Sequence, residues 1–90
     1  MSGEHIEEAI HIGGVAIEQI LSGEVDKPVD YDQDQDEWVV LLEGTAELEM
    51  NGERVLLEQG DWVLLPRRIP HRLIRTTQGT NWIAVHITSQ

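Results

Sequence analysis

The sequence has 90 residues, enough for one domain and too few for two. Its 17 acidic and 6 basic residues give a formal net charge of -11. That charge repels nucleic-acid phosphates and anionic lipid headgroups, so neither nucleic acid nor a membrane is expected as a partner. Cysteine is absent, which excludes disulfides, thiolate metal sites and cysteine nucleophiles. No apolar run reaches the roughly 20 residues of a membrane-spanning helix, and the first residues lack a signal-peptide pattern, so a cytoplasmic location is expected.

Short apolar runs alternate with turn residues along most of the chain, at spacings of about 8 to 12 residues. This pattern is typical of a β-sandwich or barrel. Residues 22–36 are rich in acidic residues and are expected to be mostly loop, and at most a single helical turn is expected, over residues 4–11. The sequence therefore predicts one all-β domain over residues 1–90. The predicted strands cover residues 14–21, 37–42, 46–50, 53–57, 62–65, 70–76 and 81–88.

The dipeptide Asn51-Gly52 predicts a β-hairpin. Apolar and polar residues alternate over residues 46–50, so one face of this strand is apolar. Asparagine followed by glycine suits a type I′ turn, whose two central residues both have positive φ. A two-residue loop also fixes the register and brings the apolar faces of the two strands together. The opposed pairs are then Met50 with Glu53, Leu48 with Val55, and Ala46 with Leu57.

Two further spacings match the motifs of a known family. Glu37 is followed by six residues and then Gly44, as at the end of the pattern G(X)5HXH(X)3-4E(X)6G. Gly60, five further residues and Pro66 are followed by His71, as in the pattern G(X)5PXG(X)2H(X)3N. These are the first and second motifs of the cupins, and the sequence resembles a small single-domain cupin.

The resemblance extends over about residues 14–88, with motif one at about 31–44 and motif two at about 60–75. It implies an antiparallel conical β-barrel, also described as a double-stranded jelly roll. The first motif is degenerate, because Tyr31 and Gln33 stand where cupins have two histidines.

The resemblance also implies a divalent metal site, with Zn, Fe, Mn or Ni as the candidate ion. Glu37 and His71 match ligand positions of the motifs, and Gln33 could ligate through its amide oxygen. His86 is available as a fourth donor if the face of the last strand that carries Trp82 lines the barrel. The opposite face of that strand is also apolar, so the sequence leaves its orientation open.

Four of the six basic residues lie within nine positions around His71. One interpretation is that these arginines pair with the acidic residues of segment 30–36. The other concerns Arg75, which strand alternation places on the same face as His71. An inward guanidinium would bind a carboxylate or phosphate, so Arg75 and Tyr31 are predicted to contact a small ligand.

The strand that begins at Glu37 also predicts a protein partner. Trp38, Val40 and Leu42 lie on its face opposite Glu37 and would form an apolar surface that a small sheet cannot cover alone. We therefore expect a homodimer that uses the Trp38 face. The alternative is that residues 1–12 fold back over this face within one chain.

Three functions remain open on these grounds. The first is a cupin whose divalent-metal pocket binds or acts on a small metabolite. The second is a metal-free module that binds or senses a small anion without catalysis. The third is a structural protein with a vestigial pocket, because a fold does not by itself imply a function.

Overall fold

The computed structural model describes residues 4–23, 28–31 and 34–87, and these residues form nine β-strands. They contain no helix that could span a membrane. Because every described element is a β-strand, the all-β prediction is confirmed. The cytoplasmic location stays a prediction. The strands are β1 (Glu4–Ile12), β2 (Val15–Ser22), β3 (Val29–Tyr31), β4 (Glu37–Glu43), β5 (Ala46–Met50), β6 (Glu53–Leu57), β7 (Trp62–Leu65), β8 (His71–Thr76) and β9 (Thr80–Ile87).

The strands form two antiparallel sheets with a jelly-roll arrangement. Sheet A has five strands in the order β1-β2-β9-β4-β7, and sheet B has four in the order β3-β8-β5-β6. Residues that are adjacent in space are therefore often far apart in sequence, as for β2 and β9. A fold of this kind brings together side chains that no local sequence pattern connects.

The hydrophobic core lies between the inner faces of the two sheets. Sheet A contributes residues such as Leu41 and Ala84, both without exposed surface, and sheet B contributes Leu48 and Leu73. Burying a side chain of leucine size stabilises the fold by about 1.5–3 kcal/mol. Trp82 and Ala84 are both core residues, so the face of β9 that carries them points inward.

The hairpin prediction is confirmed in its turn and in its register. Asn51 has φ of 53° and Gly52 has φ of 81°, as a type I′ turn requires. The three predicted pairings are among the five that extend without interruption along β5 and β6. Ala46 faces Leu57, Leu48 faces Val55, and Met50 faces Glu53.

The helical turn predicted within residues 4–11 is wrong, because this segment belongs to β1 at the edge of sheet A. β1 pairs with β2 along its length, with a register shift between Ile6 and Glu8. The shift interrupts the apolar-polar alternation, which is why the segment did not have the pattern of a strand. Segment 22–36, predicted to be mostly loop, contains the short strand β3 among its described residues.

Two connections cross between the sheets at one end of the sandwich, which we call the mouth. β3 of sheet B leads into β4 of sheet A, and β7 of sheet A leads into β8 of sheet B. The first residues of β4 and β8, Glu37 and His71, are therefore both at the mouth. The C-terminal part of β9 is also there, because His86 is the direct cross-strand partner of Glu37.

Candidate functional site

Three of the four predicted metal ligands lie on the strand ends at the mouth, and two of them, Glu37 and His86, are cross-strand partners. Glu37 and His71 are buried, with 8% and 7% of their surfaces exposed. Since Trp82 and Ala84 point inward, His86 on the same face of β9 points inward as well. The structure thus answers the question of orientation that the sequence left open. Gln33, the fourth predicted ligand, lies outside the described residues.

His86 lies between two carboxylates. Its Nε2 is 2.6 Å from Oε1 of Glu18 and 3.6 Å from Oε2 of Glu37. The shorter distance is that of a strong hydrogen bond between an imidazole and a carboxylate. All three side chains are mostly buried. We call Glu18, Glu37 and His86 the mouth cluster.

Glu18 was not among the residues predicted to form a site. It lies on β2, and Ala16 on the same face pairs with His86 across the sheet. The sequence contained one signal, since Glu18 alternates in phase with the apolar residues Ala16 and Ile20. An acidic residue on an otherwise apolar strand face is a recognisable candidate for a functional-site residue once that face is known to point inward.

The mouth cluster can both bind polar groups and transfer protons. Carboxylate oxygens accept hydrogen bonds from hydroxyl and amine groups, and an imidazole can donate or accept a proton. A histidine held between two carboxylates is therefore suited to general acid–base chemistry on a small molecule that reaches the mouth.

His71 is at the start of β8, where its backbone pairs with Tyr31 of β3 and Met50 of β5. A cavity of about 580 Å³ borders His71 between Pro70 and the turn at Gly52. Tyr31 is thus adjacent to His71 in sheet B, and a ligand contact by its side chain stays a prediction.

The prediction that Arg75 points inward is wrong. Between the pairs Glu47–Arg75 and Leu48–Leu73, β8 has one residue more than β5, so the two strands shift register there. This bulge reverses the alternation that connected Arg75 with His71. The Arg75 side chain is 69% exposed, and its Nε is 3.0 Å from Oε1 of Glu47 on the outer face of sheet B.

The other clustered arginines pair with acidic residues of segment 30–36. The Nε of Arg72 is 2.6 Å from Oδ1 of Asp30, and the pKa of Arg72 is raised mainly by this hydrogen bond and by the charge of Asp30. The interpretation of the arginines as partners of this segment is thus confirmed for its described residues. Two further contacts are the 3.8 Å ion pair of Arg68 with Asp34 and the hydrogen bond from the backbone N–H of Arg67 to Oδ1 of Asp36.

The sequence profile of the cupin domain matches residues 16–86. The chain belongs to the cupin family. This match covers both motifs and most of the strands described above. No curated protein matches the sequence.

Solved structures show the same relationship. A protein of Ralstonia eutropha JMP134, whose provisional name is mannose-6-phosphate isomerase, is 33% identical with a TM-score of 0.86. The match covers 96% of this cupin and 85% of that chain. A cupin superfamily protein of Desulfitobacterium hafniense DCB-2 has a TM-score of 0.80 at 13% identity, with coverages of 96% and 78%. KdgF of Halomonas sp. has a TM-score of 0.79 at 16% identity, with coverages of 97% and 80%, so the last two show the fold alone.

Cupins often bind divalent metals, and the described residues of this cupin do not fit such a site well. Within these residues no three His, Asp or Glu side chains are placed to hold an ion together. The Nε2 of His86, a natural ligand atom, is hydrogen-bonded to Glu18 instead. A tightly bound divalent ion needs several such donors at about 2.0–2.3 Å.

Proposed function

We propose that this cupin binds a small polar metabolite at its mouth, through the mouth cluster and His71. The observation that supports the proposal is the burial of two carboxylates and an imidazole at one end of a mainly apolar interior. Burial of charged groups costs stability, and well-packed hydrophobic residues often serve a fold as well or better. Ligand sites characteristically combine apolar walls with a few convergent polar groups.

Proton transfer is the reaction that these side chains support best. Glu18 and His86 are already within hydrogen-bond distance, and Glu37 is close enough to accept a proton from His86 after a small movement. An isomerisation by proton transfer between neighbouring carbons would use such an acid–base pair. The provisional isomerase name of the 33% identical Ralstonia protein is consistent with this class of reaction.

A bound divalent ion is the second candidate for this site. Glu37 and His71 match the ligand positions of the two motifs, and this match is the observation in its favour. A small rearrangement that frees His86 from Glu18 would make a third donor available. If the ion is present, His71→Ala should abolish its retention and Tyr31→Phe should leave it nearly unchanged. Elemental analysis of protein prepared with Zn²⁺, Mn²⁺, Fe²⁺ or Ni²⁺, before and after a chelator, decides between the two candidates.

A ligand screen tests the proposed binding function. Sugars, polyols, amino acids and hydroxy acids are added singly at about 10 mM, and thermal unfolding is followed by fluorescence. A compound with a Kd of about 0.1 mM would stabilise the protein by about 2.7 kcal/mol. We expect at least one compound to stabilise the wild type and to lose its effect in His86→Gln. The exposed Glu53→Gln is the matched control and should behave like the wild type. Failure of every compound, or equal stabilisation of His86→Gln, would contradict the proposal.

We further propose that this cupin forms a homodimer through the outer face of sheet A. Cross-strand register aligns Ile17, Val85, Trp38 and Leu64 in one row across four strands of this face. The Trp38 and Trp62 rings lie beside each other with centroids 6.1 Å apart. Residues 4–12 do not cover the face, because β1 lies beside β2 as an edge strand. The exposed large hydrophobic residues of β1, β2, β4, β7 and β9 are Ile10, Ile12, Leu21, Leu42, Trp62, Leu64 and Ile87.

A second copy of the chain is the partner that fits this face best. An apolar surface across five strands is larger than the isolated apolar residues normal on a monomer. A two-fold axis through the face would place identical apolar surfaces against each other and keep the acidic remainder of both chains in water.

A further inference from the structure

We infer that Arg67 and Arg68 select ligands that carry a carboxylate or a phosphate group. The two arginines lie in the connection between β7 and β8, residues 66–70, which we call the rim of the mouth. The rim binds the anionic group, and the polar remainder of the ligand reaches the mouth cluster. The inference rests on the proposed function, because it concerns the ligand of the same site.

Asp36 holds the rim beside the mouth cluster. Its Oδ1 accepts a 2.8 Å hydrogen bond from the backbone N–H of Arg67. Its backbone carbonyl accepts a 3.0 Å hydrogen bond from the N–H of Ile87, the residue that follows His86. Asp36 also directly precedes Glu37 in the sequence. The backbone of Arg67 is therefore connected through one residue to the strand ends that carry Glu37 and His86.

The backbone of the rim is strained at Arg68. The N–H of Ile69 is 3.4 Å from the carbonyl oxygen of Pro66, and Arg68 has a φ of 62°. These features are those of a type II turn, whose third residue is favoured to be glycine because a Cβ is unfavourable at positive φ. The second cupin motif has glycine at this position, and this chain has arginine. A strained residue beside a site indicates a function for its side chain, since backbone stability alone favours glycine.

Both guanidiniums of the rim are available to an anion. The Arg67 side chain is exposed, and among the described residues its guanidinium has no acidic partner, since the contact with Asp36 uses the backbone N–H. Nε of Arg68 is 3.8 Å from Oδ1 of Asp34, and these side chains are 78% and 88% exposed. An ion pair this long and this exposed contributes little stability, so a ligand can replace Asp34 at little cost.

The charges of the rim and of the mouth cluster suit the two ends of one ligand. A guanidinium binds a carboxylate or a phosphate through two parallel hydrogen bonds. The carboxylates of Glu18 and Glu37 are acceptors, and they suit hydroxyl or amine groups of the same ligand. The net charge of -11 repels anions at long range, but physiological salt screens exposed charges beyond about 8 Å. Contact with the two guanidiniums therefore outweighs this repulsion.

Paired titrations test the inference with compounds that differ in one anionic group. Gluconate is compared with glucitol, and glucose 6-phosphate with glucose, by nuclear magnetic resonance at constant pH and ionic strength. The first pair tests a carboxylate and the second a phosphate. Any acid found in the ligand screen is compared with its uncharged amide in the same way. We expect the charged member of at least one pair to bind about tenfold more tightly, as hydrogen bonds from charged donors allow.

Variants of the rim separate its charge from the charge of the whole chain. Arg67→Gln combined with Arg68→Gly removes both guanidiniums and should reduce the difference within the pair to less than about twofold. Arg67→Gln alone should weaken binding of the charged member about threefold. Arg75→Gln is the matched control, because it removes the same charge from an exposed side chain on the outer face of sheet B. It should leave the binding of both members unchanged.

Arg68→Gly separates a role in binding from a role in holding the turn. Glycine relieves the strain of the positive φ, so this variant should unfold at a higher urea concentration than the wild type. The same variant should bind the charged member more weakly, because one guanidinium is lost. Opposite changes in stability and binding are expected only if the side chain of Arg68 binds the ligand.

Three results would overturn the inference. The first is that every compound whose binding is sensitive to His86→Gln is uncharged, or that charge makes no difference within any pair. The second is an unchanged difference in the variant that lacks both guanidiniums of the rim. The third is a loss of stability together with binding in Arg68→Gly. In each of these cases the proposed function stands, whereas failure of the whole ligand screen overturns both.

Discussion

Arg75 and Glu47 face each other across β8 and β5, and their side chains form a 3.0 Å ion pair on the outer face of sheet B. The second oxygen of the same carboxylate is 3.0 Å from Nη1 of Arg54. Only 8% of the Glu47 side chain is exposed, whereas both guanidiniums are mostly in water. The Glu47 carboxylate therefore depends on the two arginines to balance its charge. Water can solvate both guanidiniums even without Glu47.

This asymmetry predicts that removing the arginines costs more stability than removing the acid. Arg54→Ala combined with Arg75→Ala leaves a mostly buried carboxylate without its partners, which should lower the free energy of unfolding by about 2–3 kcal/mol. Glu47→Gln keeps the shape and should cost about 1 kcal/mol. Urea unfolding measures both, and the exposed Arg67→Ala should stay within about 0.5 kcal/mol of the wild type. Equal costs for the two changes would contradict this reading.

Gly44, which ends the first motif, is predicted to tolerate no side chain. Its φ is +88°, and a Cβ at this position would be 2.5 Å from Oγ1 and 2.9 Å from Cα of Thr80. Gly44→Ala must therefore move backbone atoms and should cost more than about 3 kcal/mol in urea unfolding. Gly60 is the matched control, because its φ is +89° and a Cβ there would meet nothing within 4 Å. Gly60→Ala should cost only about 1–2 kcal/mol, and a similar loss in both variants would show that contact with Thr80 is unimportant.

Trp82 and Ser22 form a buried hydrogen bond that should contribute to stability. Trp82 Nε1 donates to Oγ of Ser22 over 2.8 Å, and both residues are almost fully buried. Ser22→Ala leaves the indole N–H without this acceptor and should cost about 1–3 kcal/mol in urea unfolding. In a Trp82→Phe background the same change should cost clearly less, because no donor remains to be left unsatisfied. Identical costs in the two backgrounds would mean that the bond contributes nothing.

The outer face of sheet A predicts the oligomeric state. The wild type should have the mass of two chains by light scattering at micromolar concentration, and Trp62→Lys should have the mass of one. Leu56→Lys is the matched control, since Leu56 is 68% exposed, Trp62 is 62% exposed, and Leu56 lies on sheet B. The Leu56→Lys variant should keep the mass of two chains. A wild type with the mass of one chain would rule out the proposed interface.

Much of the fold follows from local sequence patterns. The Asn51-Gly52 turn and the alternation on both sides of it define the register of β5 and β6, because a two-residue loop allows few alternatives. The motif spacings place Glu37 and His71 at the starts of β4 and β8, and both residues are buried there. Each of these features can be predicted from a stretch of about twelve consecutive residues.

The composition of the mouth cluster was decided by the tertiary structure. Both faces of β9 are apolar, so only packing against sheet B could turn Trp82, and with it His86, inward. Glu18 reaches His86 across 68 residues of sequence because β2 and β9 are neighbours in sheet A. The apolar–polar periodicity of a single strand does not indicate which distant strands become its neighbours in the sheet.

The orientation of Arg75 is a second property that the tertiary structure decided. Alternation along β8 placed it inward, and one extra residue in β8 opposite β5 turned it outward to Glu47. A bulge depends on how two paired strands fit over a shared core, which the sequence of one strand does not contain. The sequence by itself determined the family, seven of the nine described strands and the hairpin. The packing of the two sheets decided which side chains meet at the mouth, because inward orientation is a property of the assembled core.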